Sequence, residues 1–229
     1  MKYDFILGPV DTDSVSLVKR DMSPFTEQEQ TDLINEINSL MPELIQYAHD
    51  GYFKKCIALK AKNYVLYDGK KIKIKGSALK ASTKSEALKE YLKETIEAIC
   101  YSEEIEDIHK KVIEVYNTYV QEIKNVDNIK RWSSRKTLSS TMMESERANE
   151  TKVIDAIKGS NYKEGDRFFT FYKNDDSLCL AENFDGDYNR KRLFKQLYDT
   201  ASIFDTVLPT KELFTNYSLV KNYKQIMGE

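Results

Sequence analysis

The chain has 229 residues, of which 41% are hydrophobic and 31% charged, and its formal net charge is −2. This composition predicts a globular chain of one large or two small domains, and no apolar run approaches the roughly 20 residues of a membrane span. The opening residues are too short and polar a stretch for a secretory signal peptide. Three widely separated cysteines and only two histidines fit neither a disulfide framework nor a zinc site, and they indicate a reducing, cytoplasmic location.

The charge is distributed unevenly along the chain. Between Lys54 and Lys80 there are nine lysines and a single acid, Asp68, which gives this segment a formal charge of +8. The rest of the chain is therefore strongly acidic. A concentrated basic segment is the electrostatic footprint expected of a surface that contacts nucleic-acid phosphates, which the total charge conceals.

The first predicted elements are a β-hairpin and a helix. Two apolar runs within residues 3–18 flank the sequence DTDS, which places the acids at or beside a hairpin turn. Apolar residues then recur at helical spacing from Thr26 to about Tyr47. Thr26 and Glu29 have the spacing of a capping box, and Pro42 is expected to kink or divide the helix.

A β-rich segment follows at 52–75. The dipeptide Asp68-Gly69 lies between two apolar runs and predicts a hairpin turn. At 71–75 isoleucines alternate with lysines, so one face of that strand is expected to be apolar and the other basic.

The remainder is predicted to be mainly helical with a small β insertion. Thr83 and Glu86 predict a capping box for the first helix, and Trp132, the only tryptophan, is interpreted as a packing anchor. In chain order the predicted elements are amphipathic helices near 84–101 and 103–124, mixed short helices and loops at 125–150, a helix at 151–158, strands at 166–172 and 177–183, and helices at about 188–203 and 211–226.

Asp11 and Asp13 are the candidate catalytic and metal-binding residues. A single residue separates them, so their carboxylates can point the same way from a strand or converge on a tight turn. Two neighbouring carboxylates repel each other unless a cation joins them, and Mg²⁺ is a hard ion suited to such oxygens and to phosphate. Aspartates are also common in turns because they bond their own backbone, so a plain turn is the alternative at this point.

In its hairpin context, the sequence Asp11-Thr12-Asp13-Ser14 resembles motif C of family B DNA polymerases, whose pattern is aromatic-Gly-Asp-Thr-Asp-Ser. The two residues before DTDS depart from that pattern, since Pro9 and Val10 replace the aromatic residue and the glycine. The resemblance implies that the two carboxylates bind catalytic magnesium.

A second resemblance lies in the lysine-rich segment. Lys62 and Tyr64 match the second and fourth places of the Lys-Lys-Arg-Tyr motif that follows motif C in this family, with Ala61 and Asn63 in the other two. The run from Lys73 to Gly76 is similar to the family's subsequent Lys-x-x-Gly segment. Lysines that pair with phosphates give affinity without sequence preference; the alternative is an edge strand whose lysines prevent aggregation.

The resemblance continues more loosely towards the C-terminus. Gly165-Asp166 precedes a strand, as in the family's thumb domain, and the stretch from Tyr198 onward is similar to the last helices of phage polymerases of the T4-like group. The predicted DNA-binding residues are Lys60, Lys62, Tyr64, Lys73, Lys75, Lys130, Arg131 and Arg135.

Together these features predict an α+β fold, with part of a palm domain at 1–82 and a mainly helical thumb at 83–229. The resemblance implies a nucleotidyltransferase that is incomplete, because motifs A and B and the exonuclease precede motif C and only ten residues precede Asp11. The expected partners are an N-terminal polymerase chain, primer–template DNA and deoxynucleotides, with Mg²⁺ as cofactor and no membrane. A methionine just before motif C predicts a split polymerase.

Two other functions are compatible with parts of the sequence. Asp-x-Asp also binds a divalent ion in glycosyltransferases, although no α/β nucleotide-binding pattern precedes it here. The chain is alternatively a non-catalytic DNA-binding remnant of a polymerase.

Overall fold

The computed structural model describes residues 4–11, 13–80 and 84–216. The chain divides into two compact units, Met1–Leu79 and Lys80–Glu229, hereafter the N-terminal and C-terminal units. The predicted boundary after residue 82 falls among 81–83, which lie outside the described residues, and the assignment of the units to palm and thumb stays a prediction. The predicted α+β class is confirmed, since small antiparallel sheets and helices make up the described chain.

The N-terminal unit contains a hairpin, a helix and a three-stranded sheet. Its elements are β1 (Phe5–Val10), β2 (Val15–Lys19), α1 (Glu27–Ser39), β3 (Lys55–Lys60), β4 (Asn63–Tyr67), β5 (Ile72–Lys75) and, at its end, the single turn α2 (Ser77–Lys80).

The predicted capping box of α1 is confirmed. The Thr26 hydroxyl accepts the backbone N–H of Glu29, and the Glu29 carboxylate accepts the backbone N–H of Thr26. The predicted end near residue 47 is wrong, because α1 ends at Ser39. Pro42 lacks the N–H that a continuing helix needs, and its carbonyl instead closes a turn with the N–H of Ile45 at 2.8 Å.

The sheet β3-β4-β5 is antiparallel throughout. The predicted Asp68-Gly69 turn is confirmed: it joins β4 to β5, and the Asp68 carboxylate accepts two backbone N–H groups of the turn. The alternation in β5 is only partly as predicted. The face that carries Lys73 and Lys75 also carries Leu66 and Tyr64 of β4, and both of these are buried.

The C-terminal unit is mainly helical. Its α-helices are α3 (Glu86–Tyr101), α4 (Ile105–Lys124), α5 (Ile129–Trp132), α6 (Ser140–Met143), α7 (Ala148–Ala156), α8 (Arg190–Ala201) and α9 (Thr210–Leu213), and its strands are β6 (Ser134–Thr137), β7 (Arg167–Tyr172) and β8 (Leu178–Leu180). The second predicted strand is shorter than expected, since residues 181–183 form a 3-10 turn. The capping box predicted for Thr83 and Glu86 is wrong, because Ser85 is the N-cap of α3, Glu86 is its first residue, and the cap has no side-chain hydrogen bond. Of the terminal helix predicted at about 211–226, the described residues contain α9, which ends at Leu213. Residues 217–229 lie outside the described residues.

Aromatic side chains form the centre of this unit. Tyr91 of α3 makes edge-on contacts with Tyr116 and Tyr119 of α4, at centroid distances of 6.2 and 5.4 Å. Trp132 is buried, contacts the Tyr119 ring and donates its indole N–H to Glu122 at 2.9 Å. The interpretation of Trp132 as a packing anchor is thereby confirmed.

Two further features bear on the expected function classes. Within the described ranges, every sheet is antiparallel, which differs from the parallel sheets of nucleotide-sugar-binding folds. Over the same ranges, no helix is both long and apolar enough to span a membrane.

Candidate metal and nucleic-acid site

The acidic turn connects β1 and β2. Val10 pairs with Val15, and the backbone N–H of Asp11 donates to the carbonyl of Ser14 at 2.9 Å. Asp11 has a side chain that is 35% exposed, and Asp13 is exposed. The predicted hairpin with its acids at the turn is therefore confirmed, although Thr12 lies outside the described residues.

An irregularity in β1 explains how the turn tolerates Pro9. The register shifts by one residue between Leu7 and Val10, which is a β-bulge at Gly8-Pro9. Bulges accept proline because the ladder hydrogen bond is already interrupted there. Gly8 is also closely packed, since an added Cβ would lie 3.1 Å from the Ser16 side chain. The residues that depart from the motif C pattern are thus accommodated before the turn begins.

Lys62 lies beside the acidic turn. It occupies a tight turn between β3 and β4, with the left-handed φ of 60°. Its Nζ is 3.5 Å from Oδ1 of Asp11. Two motifs that are far apart in the sequence therefore meet in space, and the ammonium group partly neutralises the carboxylate.

Gly76 supports the Lys62 turn. It has φ of 102°, and a Cβ at this position would overlap the carbonyl oxygen of Lys62 and the side chain of Asn63. The glycine of the Lys-x-x-Gly segment is thus required because its backbone lies directly against the turn that carries Lys62. Sequence analysis identified both segments and missed this contact.

The other lysines of the sheet have different surroundings. Lys60 and Lys75 are exposed, whereas Lys73 pairs with Asp50 at 2.7 Å and holds the pKa of that carboxyl below its usual range. Tyr64 is only 7% exposed and packs within the sheet. All four residues remain predicted DNA contacts.

In the C-terminal unit, Lys130 and Arg135 are both neighbours of Phe169. The Nζ of Lys130 is 4.8 Å from the centroid of Phe169, and Arg135 is the direct cross-strand neighbour of Phe169. Both basic residues are exposed. The two cations were predicted from the sequence and Phe169 was not; its place in a strand rich in aromatic residues was the available signal.

Arg131 lies in a different environment from these two cations. Its guanidinium forms ion pairs with Glu90 of α3 and with Glu122 of α4, the latter at 2.8 Å. These carboxylates raise its pKa, and its guanidinium also packs on the Tyr119 ring at 5.7 Å. Through these contacts Arg131 links α3 to α4. A DNA contact at this residue stays a prediction.

The donor set at the acidic turn suits a hard cation but is incomplete. Carboxylate oxygens are the ligands that Mg²⁺ prefers, and Asp11 and Asp13 provide two of them. In the part of the chain that the structure describes, no group of three or more His, Cys, Asp or Glu side chains could hold a metal ion. Further ligands would have to come from outside the described residues.

The fold resembles that of a known polymerase. The solved structure of the family B DNA polymerase from the hyperthermophilic archaeon Pyrobaculum calidifontis matches with a TM-score of 0.63 over 80% of this chain, at 18% sequence identity. The match covers 25% of the archaeal chain, so this protein corresponds to about a quarter of that enzyme. The sequence matches no protein-family model and no curated protein. The likeness therefore establishes a family B polymerase-like fold.

Proposed function

We propose that this chain is the C-terminal part of a DNA-directed DNA polymerase of family B, active only with a polypeptide that supplies the remaining parts. The observation that carries the proposal is the contact between Asp11 of the acidic turn and Lys62. Lys62 lies in the turn between β3 and β4, hereafter the lysine turn. A polymerase needs magnesium ligands and a primer–template grip side by side, because the hydroxyl at the end of the primer attacks the α-phosphate of the incoming nucleotide beside the metal ions, and pyrophosphate leaves.

In this function Asp11 and Asp13 hold Mg²⁺ at the hairpin turn. When bound, a pair of such ions stabilises the attacking and leaving oxygens of phosphoryl transfer. The chain's own contribution is to fix the carboxylates on a short hairpin whose turn is closed by the Asp11–Ser14 hydrogen bond. Lys62 pairs with Asp11 in this structure, and with a cation bound to that carboxylate its ammonium group would be available to a DNA phosphate.

The basic segment serves as the sequence-independent grip. Lys60, Lys62 and Lys75 lie on the lysine turn or at strand ends beside it, and each phosphate that such a side chain neutralises releases counterions. In the C-terminal unit, Lys130 and Arg135, both neighbours of Phe169, are the further cations that we propose to contact duplex phosphates. Contacts of this kind bind DNA without preference for base sequence.

A partner polypeptide is part of the proposal. The described residues give only two clustered carboxylates at the turn and match a quarter of a complete polymerase. The partner would supply the third carboxylate, the nucleotide-binding residues and the exonuclease. Assignment to the phage T4-like group and a natural split of the gene belong to the same proposal.

Primer extension by the reconstituted two-chain complex tests the proposal. Replacing Asp11 and Asp13 together by alanine should reduce synthesis by about a thousandfold or more, equivalent to roughly 4 kcal/mol of transition-state stabilisation. Assembly, measured by sedimentation, should be unchanged, and Asp155→Ala on an exposed position of α7 serves as the matched control. Synthesis retained by the double variant, or absent from the wild-type complex, would refute the proposal.

One observation favours a second candidate, a DNA-binding remnant without catalysis. The Lys62 ammonium already occupies the position of a counter-ion to Asp11. If that pair were permanent, the wild-type chain would bind duplex in a salt-sensitive way, and no partner would make it extend a primer. The primer-extension experiment separates the two candidates.

A further inference from the structure

A strongly acidic segment precedes the basic sheet in the N-terminal unit. From Asp21 to Phe53 there are seven aspartates and glutamates and no lysine or arginine, directly before the segment that carries a charge of +8. Such a surface repels the phosphates that its neighbour attracts. The acidic segment is therefore unsuited to face DNA.

The same segment exposes large apolar side chains. Helix α1 has no buried residue, and Leu44 is 98% exposed. Others on this segment are Met22, Leu40, Ile45 and Tyr52. Single exposed apolar residues are ordinary, but several of them within one short segment indicate an interaction surface.

Local hydrogen bonds hold the backbone that carries three of these exposed side chains. The Asn38 side-chain amide donates to the carbonyl of Tyr47 at 2.9 Å and accepts its N–H at 2.6 Å, which closes residues 38–47 into a loop. The turn from Pro42 to Ile45 tightens it further. We call residues 38–47 the clamped loop; it presents Leu40, Leu44 and Ile45 to solvent on a defined backbone.

We infer that the clamped loop and α1 form the docking surface for the polypeptide that completes the polymerase. The partner surface would offer an apolar pocket for Leu44 and its neighbours, rimmed by lysine or arginine that complements Glu36 and Glu43. This inference rests on the proposed function, because the occupant it names is the partner polypeptide of that proposal. Charge selects against DNA as the occupant, and the exposed side chains of the clamped loop supply the apolar area.

Binding of the complementing polypeptide, measured by calorimetry, tests the docking surface. Leu44→Asp should raise the Kd by about tenfold or more, as expected for a residue that anchors an interface. The fold should be unaffected, because the Leu44 side chain is almost completely exposed within this chain. Ile105→Asp, on an apolar residue that is 55% exposed at the start of α4 in the C-terminal unit, should leave the Kd unchanged. Glu43→Lys should also weaken binding to the partner.

Four results would overturn the inference. An unchanged Kd for Leu44→Asp, in a wild-type complex that extends primers, would remove the docking surface and leave the proposed function standing. If Glu43→Lys bound both duplex DNA and the partner more tightly than the wild type does, the surface would face DNA. Self-association of the isolated chain that Leu44→Asp abolishes would assign the surface to a second copy. A wild-type complex that neither forms nor synthesises DNA would refute the proposed function itself.

Discussion

The two units of the chain are built in opposite ways. Among the described residues, six hydrophobic side chains are buried in the N-terminal unit and thirty in the C-terminal unit. Large exposed hydrophobics show the reverse distribution, with eight in the N-terminal unit and four in the C-terminal unit. Burial of apolar area is the main stabilising contribution to folding, so the C-terminal unit is largely complete in itself, whereas the N-terminal unit leaves apolar area available for further contacts.

Charged groups repeat the contrast. In the C-terminal unit Arg131 is paired with two carboxylates inside the helical packing. In the N-terminal unit the acids of 21–53 and the lysines of 54–80 form separate blocks along the chain. Lys73 and Asp50 join the two blocks through an ion pair, and the two proposals assign DNA to the basic block and the partner polypeptide to the acidic one.

The largest effect should come from the core of the C-terminal unit. Phe194 on α8 is fully buried, and its replacement by alanine removes a ring and leaves a cavity. We expect a loss of about 3–5 kcal/mol in the free energy of unfolding, measured by urea denaturation. Leu44→Ala in the N-terminal unit should change stability by less than about 0.5 kcal/mol. A loss below 1 kcal/mol for Phe194→Ala would contradict the contrast between the two units.

A smaller effect should appear when alanine replaces each of two glycines with positive φ, one in each unit. Gly76→Ala combines a left-handed backbone with a Cβ that overlaps Lys62 and Asn63, and should cost about 2–4 kcal/mol. Gly159 in the C-terminal unit also has positive φ, 85°, but nothing lies within 4 Å of an added Cβ. Gly159→Ala should therefore cost only about 1 kcal/mol. If thermal or urea unfolding showed equal losses of unfolding free energy at the two positions, close packing of Gly76 would not stabilise the lysine turn.

The sequence predicted the features that are determined locally. The hairpin around DTDS, the Asp68-Gly69 turn and the Thr26–Glu29 capping box depend on residues within a few positions of one another, and each is present. Trp132 was predictable as a packing anchor because a large aromatic residue loses most by exposure.

The remainder depends on contacts between distant residues. The end of α1 at Ser39 is accompanied by the Asn38–Tyr47 hydrogen bonds, and helical periodicity alone cannot detect them. Likewise, Lys130 and Arg131 are adjacent in sequence, yet one packs on Phe169 and the other pairs with Glu90 and Glu122. Only the packing of α5 between other elements distinguishes them.

The smallest expected effect concerns the response of α1 to acid. The ion pair with Lys19 and the backbone N–H of Thr26 lower the pKa of Glu29 in the folded chain. A lowered folded pKa means that the unfolded chain binds more protons, so this contribution is present above the unfolded pKa of about 4.3 and is lost as the pH falls through the folded pKa. Glu29→Gln should therefore flatten the decline in α1 helicity between about pH 5 and pH 2, followed by circular dichroism. An identical acid response for Glu29→Gln and wild type would show that the Lys19–Glu29 pair does not stabilise the start of α1.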